Sequence, residues 1–362
     1  MESFYERRIG RVRENMERDG LDALILSDSA ALYYLTGESI HPGERMTVLL
    51  LEKDRACWVR NILFPLKHPG TFRDVPFADG TDGVRILADL LPDGKKTVGI
   101  DQTWPARFLL PLLRLRSGLS FVNGSLAADD ARAIKDEEEI RLMREASRLN
   151  DRAMEEILSA VRPGMTEREA ARLLREIYRR LGAEGVSFPP IVSFGPNGAD
   201  PHHEPDDTVI GERGALLIDM GCKYRGYCSD MTRTVFLGTP TEEEKKVHEI
   251  VNEAGRLAED LIRPGVPLRD IDRAAREHIA KAGYGPCFTH RLGHFIGLRA
   301  HEEGEVSENS PLTAAPGMIF SIEPGIYLPG NFGVRIEDLV LVTENGRDIL
   351  NGVSRDWERK SL

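Results

Sequence analysis

Four acidic side chains stand where aliphatic residues surround them. Asp219 ends Ala215-Leu-Leu-Ile, Asp230 closes Gly226-Tyr-Cys-Ser, Glu323 follows Met318-Ile-Phe-Ser-Ile, and Glu337 follows Gly333-Val-Arg-Ile. An acid in an apolar, strand-like run is partly buried, and an ionised buried carboxylate is costly unless cations or hydrogen bonds compensate it. One such acid reads as half of a salt bridge. Four want four cations, and the flanking segments offer mainly Arg233 and Arg335. Divalent metal is the simpler account. A carboxylate-rich set with a single imidazole suits Mn²⁺ or Co²⁺ rather than a thiolate zinc site, with Zn²⁺ or Fe²⁺ as alternatives. Four negative charges match two divalent ions, a pairing that activates a water and stabilises a hydrolytic transition state. The nearby histidines are His202 and His203 in Asp200-Pro-His-His-Glu-Pro, His290 and His294 in His-Arg-Leu-Gly-His-Phe-Ile-Gly, and His301. No G-x-S-x-G elbow, Walker loop or H-E-x-x-H is present, which disfavours serine hydrolase, nucleotide hydrolase and zincin chemistry.

The elements that must position these residues follow from periodicity. With 362 residues, the chain exceeds what one core normally organises, so two domains are expected. Short apolar runs at Leu21–Ser27, Thr47–Leu51, Ala56–Val59 and Thr97–Ile100 read as strands. Amphipathic stretches over 3–19 and 84–91 read as helices among them, giving a small α/β domain over 1–125. A hinge is expected at Asn123-Gly-Ser, and the second domain spans 126–362. There, helical patterns over 135–161 and 167–181 are separated by Arg162-Pro-Gly, with Thr166 and Glu169 in capping-box spacing. The plan recurs 101 residues later, where Arg263-Pro-Gly separates 242–262 from 268–282 and Gly283 matches Gly182. Each helical pair precedes strand-like segments. Two αα-then-β halves imply an internally duplicated α+β domain with a ligand site where the halves meet.

Composition narrows the partners. Lys and Arg number 48 against 59 Asp and Glu, a net charge of −11, which speaks against nucleic acid and anionic membrane. Four scattered cysteines form no disulfide framework. No signal-peptide-like or membrane-spanning segment is apparent, so a cytoplasmic protein is expected.

In order, Asp219-Met-Gly, Gly226-Tyr-Cys-Ser-Asp230, His290-Arg-Leu-Gly-His294, His301-Glu, Ile322-Glu323-Pro-Gly-Ile-Tyr327 and Gly333-Val-Arg-Ile-Glu337-Asp resemble the M24 metallopeptidases. The N-terminal segment Leu21-Asp-Ala-Leu-Ile-Leu-Ser-Asp…Tyr34-Leu-Thr-Gly is similar to the creatinase-type domain of the proline-directed members. The resemblance implies a pseudo-twofold pita-bread catalytic domain behind a creatinase-like α/β domain, a homodimer, and cleavage of short proline-containing peptides after an N-terminal residue. It further implies that Asp219 chelates one ion, that Asp230 and Glu337 bridge two, and that His294 and Glu323 complete the second. By the same resemblance, His202 contacts the substrate and assists proton transfer, His290 and His301 are further active-site histidines, and Tyr327 and Arg335 surround the site; His202 or His301 would stabilise the reacting carbonyl, and Glu323 would shuttle a proton. Two alternatives stand beside this reading: a creatinase-like C–N hydrolase, and a non-catalytic peptide-binding protein on the same fold. Phe295 replaces a common glycine, and Arg299-Ala300 precedes His301 where an acidic-aliphatic pair is usual. Glu305 stands where dipeptidases of the family often carry a basic residue, so repulsion of a dipeptide's carboxylate is expected.

Overall fold

The computed structural model describes residues 4–68 and 72–357, and the chain divides into two compact units, Met1–Arg132 and Ala133–Leu362. In the first unit, the helix Phe4–Arg18 buries Ile9, Val12 and Met16. Its six-stranded sheet runs in the order Arg73–Phe77, Ala56–Asn61, Thr47–Glu52, Ala23–Leu26, Thr97–Ile100, Ser120–Asn123. The three inner strands pair antiparallel and the outer pairs are parallel. Ala23–Leu26 is buried at every residue, so it reads as an unbroken apolar run rather than an alternating one.

The unit boundary lies later than the expected hinge. Asn123 Oδ1 accepts from Ser125 N at the start of the helix Ser125–Ala133, so Asn-Gly-Ser opens a helix instead of releasing a linker. That helix belongs to the first unit. Asn15 Nδ2 donates to Ala127 O at 2.9 Å, Tyr34 Oη donates to Ala131 O at 3.1 Å, and Arg132 faces Asp28 at 3.5 Å.

The second unit is built twice from one plan. Helices Glu137–Ala160 and Glu167–Leu181 pack together in the first half, and Glu242–Leu261 and Leu268–Lys281 in the second. Capping boxes at Asp136/Glu139, Thr166/Glu169 and Thr241/Glu244 start three of the four. The duplication extends to the backbone. Gly164 N donates to Ile210 O and Ile210 N to Met165 O, while Gly265 N donates to Ala314 O and Ala314 N to Val266 O. Gly164 and Gly265 have φ of 92° and 88°.

Strands Ile191–Phe194, Gly214–Met220 and Met231–Leu237 form one antiparallel sheet of the first half. The second half orders its strands Glu302–Val306, Gly293–Phe295, Ile319–Ile322, Asp338–Thr343, Gly346–Ile349, all antiparallel, beside the hairpin Gly325–Leu328 and Phe332–Arg335. Alternation splits each strand between two cores. Leu216 and Ile218 join Ile157, Leu174 and Val235, whereas Ala215 and Phe236 join Val251, Ile271, Phe320 and Val340. The halves touch at two glycines. A Cβ on Gly333 would lie 1.8 Å from Gly198 O, so no other residue lets the turn Gly195–Ala199 lie against the Phe332–Arg335 strand.

Candidate metal centre

Strand register gathers the acids. Asp219 is the penultimate residue of Gly214–Met220 and pairs across the sheet with Thr232, and Asp230 immediately precedes Met231. Glu323 directly follows Ile319–Ile322, whose Ile322 pairs with Asp338, the neighbour of Glu337. His294 is the middle residue of Gly293–Phe295. A Cβ on Gly293 would meet Ser321 O at 1.8 Å, so glycine allows that strand to approach its partner. Asp219, Asp230, His294, Glu323 and Glu337 line one cavity of about 590 Å³, together with His202, His290, Arg291, His301 and Arg335.

The cations foreseen as partners are committed elsewhere or are too few. Arg233 pairs with Asp338 at 2.7 Å. Arg335 Nη2 meets Asp219 Oδ2 at 2.7 Å. Glu337 has one donor, Thr232 Oγ1 at 2.7 Å, and Glu323 has Ser321 Oγ at 3.1 Å. Asp219 Oδ1 and Asp230 Oδ1 are buried with no hydrogen-bond partner. Burial first, then Glu337, Asp219 and Glu323, pushes the Asp230 carboxyl well above its ordinary range. Burial followed by Glu323 and Asp219 does the same to Glu337, and burial chiefly raises Glu323 to about 7.

His294 sharpens the picture. Its Nδ1 donates to Phe295 O at 3.1 Å, which leaves Nε2 as a lone-pair acceptor. Burial foremost holds the ring down to about 3, so it stays neutral. Nε2 then faces Asp230 Oδ2 at 3.8 Å and Glu323 Oε1 at 3.5 Å, acceptor against acceptor. Ligand atoms of Asp230, His294 and Glu337 all lie within 4.8 Å of one another. Such a set of buried acceptors with too few donors fits divalent cations, hard carboxylate oxygens and one imidazole supplying the ligands.

A hydrogen-bonded chain borders the cluster. Arg335 Nη1 donates to Tyr327 Oη at 2.9 Å, Tyr327 Oη donates to His290 Nε2 at 2.8 Å, and His290 Nδ1 donates to Arg291 O at 2.7 Å. Burial first keeps His290 at about 4, so the direction of each bond is fixed by a neutral ring. Arg335 also donates to Thr232 Oγ1 and Pro201 O. The His301 ring stands 4.0 Å from that of His294, and burial, then Arg291, lowers its pKa.

Of the adjacent histidines, His202 lines the cavity while His203 turns away and donates from Nε2 to Glu167 Oε2 at 2.7 Å. Glu167 went unremarked in the sequence, because an acid in a helix's first turn is ordinary. Its 36-residue separation from His203 left no local signal. The repulsion expected of Glu305 is also revised. Glu305 accepts from Ser307 Oγ at 2.7 Å and from Arg291 Nη1 at 3.2 Å, so its charge is compensated, and Arg291 rather than Glu305 lines the cavity. Cys222 and Cys228 are buried packing residues.

Residues 141–344 match the sequence profile of Metallopeptidase family M24, and residues 8–134 that of the Creatinase/Prolidase N-terminal domain. The chain belongs to metallopeptidase family M24. Among solved structures, it is similar to a dipeptidase from Pyrococcus horikoshii OT3, with 36% identity, 96% of this chain and 98% of that one covered, and a TM-score of 0.91. A prolidase from Thermococcus sibiricus is 34% identical over 98% and 99% of the two chains, with a TM-score of 0.91. An Xaa-Pro dipeptidase from Bacillus anthracis is 30% identical over 97% and 99%, with a TM-score of 0.90. The fold is therefore the creatinase-type domain followed by the pita-bread catalytic domain. Among the described residues, no helix is long and apolar enough to cross a membrane.

Proposed function

We propose that the chain is an exopeptidase that hydrolyses the bond between an N-terminal residue and a following proline. One observation carries the hydrolytic reading: buried acceptors without donors, Asp219 Oδ1 and Asp230 Oδ1, beside a neutral His294 Nε2 that faces the carboxylates of Asp230 and Glu323. The names of the Thermococcus prolidase and the Bacillus Xaa-Pro dipeptidase support the substrate class. Two divalent ions, with Mn²⁺ or Co²⁺ favoured by the donor set, would be held by Asp219, Asp230, His294, Glu323 and Glu337 and would supply Lewis acidity and an acidified water.

The chain's own groups do the rest. Glu323, in the cavity wall with Ser321 Oγ donating to it at 3.1 Å, is the group we assign to carrying a proton to the leaving nitrogen. His202 and His301 donate hydrogen bonds to the scissile carbonyl as charge develops there, and His301 does so as a neutral ring because burial lowers it. Arg335 fixes Asp219 Oδ2, and Tyr327 and His290 fix Arg335 in turn. Arg291, with its side chain 35% exposed, offers positive charge to the terminal carboxylate of a short substrate, in competition with Glu305. This favours dipeptides.

A peptide panel on Mn²⁺- or Co²⁺-reconstituted protein tests the reading. Xaa-Pro should be cleaved faster than Xaa-Pro-Yaa-Zaa, Arg291→Ala should narrow that preference, and Asp230→Asn should abolish turnover with the fold kept. Reconstituted protein that cleaves no Xaa-Pro peptide of any length, or a fully active Asp230→Asn, refutes it.

A further inference from the structure

Position 167 breaks the internal symmetry. In each half the second helix begins zipped to a returning segment: Glu167 N donates to Thr208 O at 3.1 Å, and Leu268 N to Leu312 O at 3.0 Å. Thr166 bridges Val209 just as Pro267 bridges Thr313. Positions 167 and 268 are thus equivalents, 101 residues apart, and both are fully buried. The second half uses leucine there, packed in its core. Folding alone favours such an aliphatic, since a buried carboxylate must be repaid by partners before it breaks even.

Glu167 directs both oxygens at one segment. Oε1 accepts from Phe194 N at 2.7 Å and Asn197 Nδ2 at 3.0 Å, and Oε2 accepts from His203 Nε2 at 2.7 Å and Asp206 N at 3.3 Å. Those four donors span residues 194–206, the stretch that brings His202 to the cavity. Its other side is held by the second half, through Gly198 against Gly333 and Arg335 Nη1 on Pro201 O at 3.3 Å. Glu167, His203 and Asp206 are close enough to surround a cation, but the N–H donors already occupy the Glu167 oxygens, so the group acts as a clasp.

We propose that Glu167 is a positioning residue for the reaction. By gripping the His203 ring and the amides on either side, it holds the adjacent His202 at the orientation in which it can donate to the scissile carbonyl. The inference rests on the peptidase reading for what His202 does, and on the clasp alone for what Glu167 does.

A double-mutant cycle tests it on the metal-reconstituted enzyme, with the peptide of the panel that wild type cleaves best. Glu167→Gln should lower kcat by about tenfold with KM little changed, as expected for a misplaced reacting group. In the His202→Ala background the same change should have no further effect. Equal fold-losses in both backgrounds, or a loss that tracks a lowered melting temperature, would overturn the proposal. Amide hydrogen exchange on the metal-free protein gives a readout independent of any substrate. Exchange over 194–206 should quicken in Glu167→Gln while the helix Glu137–Ala160 stays protected, and unchanged exchange over 194–206 would refute the clasp. If the panel shows cleavage only before residues other than proline, the substrate reading fails, and the cycle still decides the role of Glu167 on those peptides.

Discussion

In the metal-free protein, burial and acidic neighbours raise Asp230 and Glu337 well above the ordinary carboxylate range, so protons compete with a cation for both. A cation entering the cluster must displace what they hold. Metal binding should therefore release protons, and apparent affinity should fall as pH falls. Titrating Mn²⁺ into apo-protein by calorimetry, in two buffers of different ionisation enthalpy, checks this through the sign of the buffer dependence. An enthalpy independent of buffer would contradict it. Whereas His294 entered with the family motif, the four acids were legible in the sequence because acids flanked by aliphatics are conspicuous in strand-like runs. The opposite treatment of His202 and His203 was not. Adjacent residues in a turn have no periodicity that assigns one to the cavity and the other to the clasp, and the deciding partner, Glu167, lies on a distant helix.

At the scale of elements, the helix ends of the catalytic unit were readable from local chemistry. Thr166 accepts from Glu169 N and Glu169 reciprocates, and Gly182 closes the helix with φ of 89°. The strand-on-turn contact between Gly333 and Gly198 was not readable, since a glycine in a strand announces close approach without naming what approaches. Gly333→Ala must push the Gly195–Ala199 turn away from the strand that carries Arg335. About 2–3 kcal/mol of stability should be lost, the upper part of the range for overpacking, and activity should fall because Arg335 and the His202 segment move together. Denaturant midpoints alongside kcat test this, and a variant as stable as wild type would contradict the contact. The expected hinge at Asn123 failed for a related reason. Asn-Gly-Ser signals a break in structure, yet here the break only caps a helix whose apolar face returns to the first unit.

For the whole molecule, stability depends on pH through groups remote from the cavity. His248 is buried against Phe236, its Nε2 has no partner, and burial foremost lowers its pKa from 6.5 to about 4. The fold holds the ring neutral while the unfolded chain takes up a proton below 6.5. Stability present above pH 6.5 is therefore lost as pH falls toward 4, on the order of 3 kcal/mol when complete. Urea midpoints at pH 7.0 and 5.0 should differ by more in wild type than in His248→Phe. Equal shifts would remove His248 as the cause. The duplication was legible because its punctuation, Arg-Pro-Gly and a terminal glycine, is sparse enough to be seen twice. The asymmetry between Glu167 and its equivalent Leu268 was not, since it rests on a single substituted position.

The ligand candidates are divided between the halves: Asp219 and Asp230 lie on or beside strands of the first, and His294, Glu323 and Glu337 on or beside strands of the second. Neither half alone retains a complete coordination set. A resident ion would thus act as a rivet, and its escape would time how often the two halves part. Release into a chromogenic chelator should reach a ceiling rate independent of chelator concentration. Gly333→Ala, which loosens the seam without touching a ligand, should raise that ceiling.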